Sequence, residues 1–156
     1  MNELIELLTK NNLTITTAES CTGGMIAMTI TDNPGSSQYF KEGIVTYSNE
    51  AKSRHLNVPD EILDKYGAVS EQTAHYMVKG ALKFAQSDVA IAVTGIAGPT
   101  GGSEKKPVGL VYIGTGFNDV VNVNQYIFSG DRGEIRQKTT NQALKLAAQL
   151  IDDKIG

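Results

Sequence analysis

The segment TITTAESCTGGMIA, Thr14 to Ala27, gathers Ser20, Cys21 and Thr22 beside Glu19, Gly23 and Gly24. It begins with strand character and ends with helix character, so three hydroxyl or thiol groups sit at one strand-to-helix joint. A serine there lies near free N–H groups and the positive end of a helix, which favour an alkoxide and hold an oxyanion. Gly23 and Gly24 allow a substrate to approach the backbone closely. The joint also reads as a phosphate cradle, or as a plain connection in which Ser20 or Thr22 caps the helix.

A serine nucleophile needs a base. The only histidines, His55 and His75, read as exposed helix residues and lack metal-ligand spacing. That leaves a lysine, because burial lowers a lysine pKa until the neutral amine can accept a hydroxyl proton. Lys52, in VTYSNEAKSR, follows a strand end and is placed to face the sheet edge that carries Ser20; the competing reading is a solvated surface lysine. The loop TGIAGPTGGSEKKPVG has neither GxxxxGK[ST] nor GxGxxG spacing. It either offers N–H groups to an anion or carbonyl, or is a mobile surface loop. In FSGDRGEIR, Arg132 either holds a phosphate or pairs with Asp131 or Glu134.

The elements that must position these groups follow from periodicity. Residues 2–11 form a helix, 13–18 a strand, and Gly23 to about Thr31 a helix closed by the turn cluster DNPGSS. Tyr39–Ser48 is a strand rich in β-branched and aromatic residues. A short helix over Asn49–Leu56 opens with Asn49 as its cap, and another lies between Pro59 and Gly67. Ser70 caps a helix reaching Gln86, with Ala74, Met77, Val78, Ala81, Leu82 and Ala85 on one face. Asp88–Gly95 is a strand buried on both faces. Two more strands form a hairpin around Asn118-Asp119, and a helix from Asp131 to Asp152 turns Ile135, Thr139, Ala143, Ala147, Leu150 and Ile151 inward. The order predicts a single α/β domain over residues 1–156, a three-layer α/β/α sandwich with a mixed central sheet. Ligands of such sheets bind beyond the carboxyl ends of strands, which selects Glu19–Gly24 and Thr94–Gly102.

Composition narrows the class. The 156 residues carry a net charge of −3 and three arginines, too little cationic surface for a nucleic-acid protein. One cysteine rules out an internal disulfide framework and a cysteine zinc site. MNELIELLTKNN is too charged for a signal peptide, and no apolar run reaches membrane-spanning length, so the expectation is a cytoplasmic protein without a membrane partner. A homo-oligomer, a dimer first, is expected for a small α/β enzyme.

TTAESCTGGMIA, GIVTYSNEAKSRHLNV, YGAVSEQTA, AVTGIAGPTGGSEKKPVG and FSGDRGEIR occur in this order over nearly the whole chain. Together they resemble the CinA C-terminal domain family, the PncC-like nicotinamide mononucleotide (NMN) amidohydrolases. The resemblance implies a mixed-sheet α/β/α fold and hydrolysis of the NMN carboxamide to nicotinic acid mononucleotide and ammonia, in pyridine nucleotide salvage. It implies a Ser-Lys dyad of Ser20 and Lys52, with no metal or other cofactor. Oxyanion donors are expected at Thr22, Gly23 and Gly24, with the Tyr47 hydroxyl. Gly95, Ala97, Gly98, Gly101, Gly102 and Arg132 are expected to shape the nucleotide site. Larger members of the family carry a further N-terminal domain; this sequence reads as a stand-alone amidohydrolase, the alternative being a nucleotide-binding module that does no chemistry.

Overall fold

Leu4 and Leu8, one helical turn apart, are both buried and form the inner face of α1 (Asn2–Lys10). The structure, a computed structural model, describes residues 1–155; Gly156, at the end of the expected 1–156 domain, lies outside the described residues. After α1 come β1 (Ile15–Glu19), α2 (Met25–Thr31), a 3-10 turn at Ser36–Gln38 and β2 (Phe40–Val45). Then follow α3 (Asn49–Leu56), α4 (Asp60–Tyr66), α5 (Glu71–Ala85), β3 (Val89–Gly95), β4 (Leu110–Phe117), β5 (Val120–Ile127) and α6 (Arg132–Ile155). The strands make one mixed sheet in the order β2-β1-β3-β4-β5. β2, β1 and β3 run parallel, while β4 is antiparallel to both of its neighbours.

β3 shows why the two faces differ. Val89, Ile91 and Val93 point to the layer of α1, α2 and α6, where they meet Leu8, Ile26, Ile135 and Ile151. Ala90 and Ala92 point to the layer of α3, α4 and α5, where they meet Leu56, Leu63, Met77 and Val78. The small residues bring α5 close to the sheet. Gly114 of β4 sits directly under Val78, and a Cβ there would lie 2.4 Å from the valine Cγ2. At the other crossing, a Cβ on Gly80 of α5 would lie 2.0 Å from the Leu56 carbonyl oxygen of α3. The chain thus forms a single α/β/α three-layer domain, as predicted. Among the described residues, no helix is long and apolar enough to cross a membrane.

Several local expectations are corrected. Ser48, not Asn49, caps α3: its Oγ accepts the Ala51 N–H at 3.1 Å. α2 starts at Met25, not Gly23, because Gly23 (φ +58°) and Gly24 (φ +107°) are both left-handed. His75 is half-buried, its ring edge-on to Tyr76 at 5.7 Å between centroids. The expected Ser70 cap of α5 is present, accepting the Thr73 N–H at 3.1 Å.

Candidate active site

β1 and β3 are adjacent and parallel, with Glu19 opposite Val93, so their carboxyl ends open on the same edge of the sheet. Ser20 continues β1 by one residue, its N–H donating to Val93 O at 3.1 Å. The serine is held by sheet geometry up to its own backbone nitrogen. Its side chain is almost covered, at 8% exposure.

α3 delivers the partner. Lys52 and Leu56 are i, i+4 neighbours on the helix, and both are 1% exposed. A lysine thus occupies what would ordinarily be a core position. Its Nζ lies 3.1 Å from Ser20 Oγ and donates to Thr46 O at 2.8 Å. Desolvation lowers its pKa from 10.5 to about 8, and the Coulombic attraction of Cys21, in its thiolate form, acts the other way. At pH 7 about a tenth of such an amine is neutral, against about three in ten thousand for an ordinary lysine. The surface-lysine reading is therefore wrong for Lys52.

The helix-end reading is corrected too. Glu19, 1% exposed, sits under α2 and takes its first amides, with Oε1 accepting Ile26 N–H at 2.9 Å and Oε2 accepting Ala27 N–H at 3.0 Å. Neither Ser20 nor Thr22 caps the helix, and its positive end is already satisfied by a carboxylate. Of the expected oxyanion donors, the Gly23 N–H is engaged by Ser20 O at 3.0 Å. Among the described residues, the N–H groups of Thr22 and Gly24 meet no acceptor, and Thr22, Gly23 and Gly24 lie outside the lining of the cavity that Ser20 and Lys52 face.

Ser20 and Lys52 face a cavity of about 190 Å³, lined also by Cys21, Tyr47, Asn49, Ala68, Val69, Thr94, Gly95, Ala97 and Arg132. Tyr47 is 61% exposed and stands at the mouth. Arg132 links the mouth to the glycine-rich loop, donating from Nη1 to Gly98 O at 2.7 Å and from Nη2 to Tyr47 OH at 2.9 Å. It does not need Asp131 or Glu134, which cap α6 reciprocally: Glu134 N–H donates to Asp131 Oδ1 at 2.8 Å and Asp131 N–H to Glu134 Oε1 at 3.1 Å. Gly98, Gly101 and Gly102 all lie outside the lining, Gly98 meeting Arg132 through its carbonyl. The loop is tethered rather than free. Lys106 Nζ donates to Tyr66 O at 2.7 Å at the end of α4, and Gly109 N–H to Ile96 O at 2.7 Å.

Cys21, beside Ser20 at the joint, is 5% exposed, and burial pushes its thiol pKa up to about 11. At pH 7 only about one in ten thousand such thiols is ionised. Ala68 and Val69 are not singled out as site residues by sequence, being small or apolar and without a chemical signal; Asn49 reads only as a helix cap and Thr94 only as the start of the Thr94–Gly102 joint, and all four line the cavity through tertiary placement. A larger cavity of about 640 Å³ lies between α5 and the β4–β5 turn, beside His75, Lys79, Lys83 and Asp119, remote from the dyad. Among the described residues, no group of three or more His, Cys, Asp or Glu side chains is arranged to hold a metal ion.

The chain is similar to known proteins over nearly its whole length. The model of the CinA C-terminal domain matches residues 1–151. A CinA-like protein of Endomicrobium trichonymphae is 54% identical over 140 residues, covering 90% of this chain and 33% of that protein. The chain spans about a third of the length of the curated relatives it matches. The crystal structure of CihA, a competence/damage inducible protein from Agrobacterium tumefaciens, superposes with a TM-score of 0.90 at 43% identity, covering 95% of each chain. A CinA superfamily protein from Klebsiella pneumoniae 700603 gives a TM-score of 0.93 at 32% identity, covering 97% of this chain and 94% of that one.

Proposed function

We propose that this chain, which belongs to the CinA C-terminal domain family, is an amidohydrolase that cleaves the carboxamide of NMN. The observation that carries the reading is the 3.1 Å approach of a buried, pKa-lowered Lys52 amine to Ser20 Oγ at the wall of a cavity. Neutral Lys52, anchored by one N–H on Thr46 O, turns its lone pair to the Ser20 hydroxyl and takes the proton as Oγ attacks the carboxamide carbon. The N–H groups of Thr22 and Gly24, with the Tyr47 hydroxyl, are the candidates to hold the oxyanion. Lys52 then gives that proton to the carboxamide nitrogen, the C–N bond breaks and ammonia leaves. Water, activated by the same amine, releases nicotinic acid mononucleotide from the Ser20 ester.

Cavity size supports a divided substrate. A volume of about 190 Å³ suits one aromatic ring and its amide. It is below the roughly 300–1,000 Å³ of pockets that enclose a whole drug-sized ligand. The ribose and phosphate then lie across the mouth, where Arg132 has N–H groups left after its bonds to Gly98 and Tyr47.

A second reading is a nucleotide-binding module without chemistry. It is favoured by the surroundings of Nζ, with Ser20 Oγ at 3.1 Å and Thr46 O at 2.8 Å, two oxygens that an ammonium satisfies by donating to both. The test is ammonia release from NMN by wild type, Ser20→Ala and Lys52→Ala, with calorimetric binding in parallel. The amidohydrolase reading expects turnover in wild type and a loss of at least about 10³-fold in each variant. Binding of NMN with no ammonia released selects the module.

A further inference from the structure

Arg136 has no part in the mechanism above, yet it is the cation in direct contact with the backbone of the nucleophile turn. It follows Arg132 by four residues on α6, so one face of the helix presents one guanidinium to the cavity mouth and the other to the joint after β1. Arg136 Nε donates to Cys21 O at 3.0 Å and Nη2 to Thr22 O at 3.0 Å. In a trans peptide the N–H points opposite to the C=O. Holding the Cys21 carbonyl therefore directs the Thr22 N–H away from the guanidinium, and holding the Thr22 carbonyl directs the Gly23 N–H onto Ser20 O at 3.0 Å. Gly23 is fitted to the same contact: φ is +58°, and a Cβ would lie 3.2 Å from Arg136 Nη2.

We propose that Arg136 is a positioning residue, whose planar guanidinium clamps two successive carbonyls and so fixes the Thr22 N–H and, through the Gly23 N–H on Ser20 O, the Ser20 side chain of the nucleophile turn. A planar fork satisfies two adjacent acceptors at once; a lysine ammonium holds one at a time. The assignment rests on Ser20 being the nucleophile.

The experiment compares wild type, Arg136→Ala and Arg136→Lys in two assays. One is steady-state ammonia release from NMN. The other is the rate at which phenylmethanesulfonyl fluoride modifies Ser20, read by intact mass. There Ser20 Oγ bonds to sulfur, the S–F bond breaks, fluoride leaves and the hydroxyl proton passes to Lys52. Arg136→Ala is expected to lose about 10²-fold in kcat and in modification rate, since a misplacement of about 1 Å costs that much. KM should stay within about threefold, Arg136→Lys should fall between the two, and added guanidinium ion below denaturing concentration should restore part of the Ala variant's rate. Wild-type kcat and modification rate in Arg136→Ala overturn the proposal, as does a loss confined to KM, or one that neither lysine nor guanidinium relieves. If wild type is modified at Ser20 but releases no ammonia, the substrate reading fails while the modification rates still decide Arg136. A wild type that does neither overturns both.

Discussion

Burying a primary amine is unfavourable, and at Lys52 the fold accepts that cost beside a serine hydroxyl. In the proposed mechanism the consequence is a base that works near neutrality. Because the neutral amine is the active form, kcat/KM for NMN should rise with pH and level off above about 8, the lowered Lys52 value. A profile flat from pH 6 to 9 would remove Lys52 as the base. Cys21 is shifted in the opposite sense, up to about 11, by the same desolvation acting on an acid rather than a cation. The buried thiol therefore stays protonated while its neighbour is activated. Cys21→Ala should retain activity within about threefold and lose about 1–2 kcal/mol of stability for a small buried side chain. Iodoacetamide should alkylate native Cys21 slowly, as followed by mass. Loss of turnover in Cys21→Ala with an unchanged melting temperature would transfer the nucleophile to the thiol.

α3 places Lys52, and α3 is held by what touches it. Gly80 lets α5 cross the carboxyl end of α3 with no room for a methyl group. Gly80→Ala should cost about 1–3 kcal/mol by overpacking and displace the helix that carries the base. Urea unfolding and the turnover rate should therefore fall together; a lowered stability with unchanged kcat would show that α3 does not move. The elements themselves were legible in sequence because their signals are local. The stripe from Ala74 to Ala81, the Ser70 cap and the apolar run Val89–Val93 each announce themselves within a few residues. The joint chemistry was less legible because its partners are not local. Glu19 satisfies amides seven and eight residues on, and Arg136 reaches carbonyls more than a hundred residues back, distances at which no spacing rule operates. Lys52 was readable as a candidate only through its place after a strand. Its burial came from a register with Leu56 that leaves the pair on the inner face of α3. Ser48 and Asn49 are both good caps, and only the extended backbone at Ser48 decides between them.

The whole molecule feels the same buried amine through its stability. The folded-state pKa of Lys52 is lowered from 10.5 to about 8, so between these values the unfolded chain binds a proton that the folded chain does not. Stability must then rise with pH across that window, with the penalty fully present below about pH 8 and gone above about 10.5. The full shift corresponds to about 3 kcal/mol. Two other groups act against it. Cys21, raised from 9.0 to about 11, and Tyr39, raised from 10.0 by burial, both lower stability as pH climbs past their unfolded values. A single stability curve for wild type would therefore mix opposite slopes. Comparison with Lys52→Met, both chains carrying Cys21→Ala because the Lys52 charge itself lowers the Cys21 pKa, separates them, since Tyr39 is common to both. Methionine leaves Thr46 O without its donor, a penalty of about 1–3 kcal/mol that does not titrate. Only the charging of Lys52 changes with pH. In urea titrations the stability of the Lys52→Met chain relative to its Lys52 counterpart, both in the Cys21→Ala background, should fall by about 3 kcal/mol between pH 7 and 10.5, most of it above pH 8. A difference constant across that range would mean that Lys52 is solvated in solution, and the dyad would lose its base.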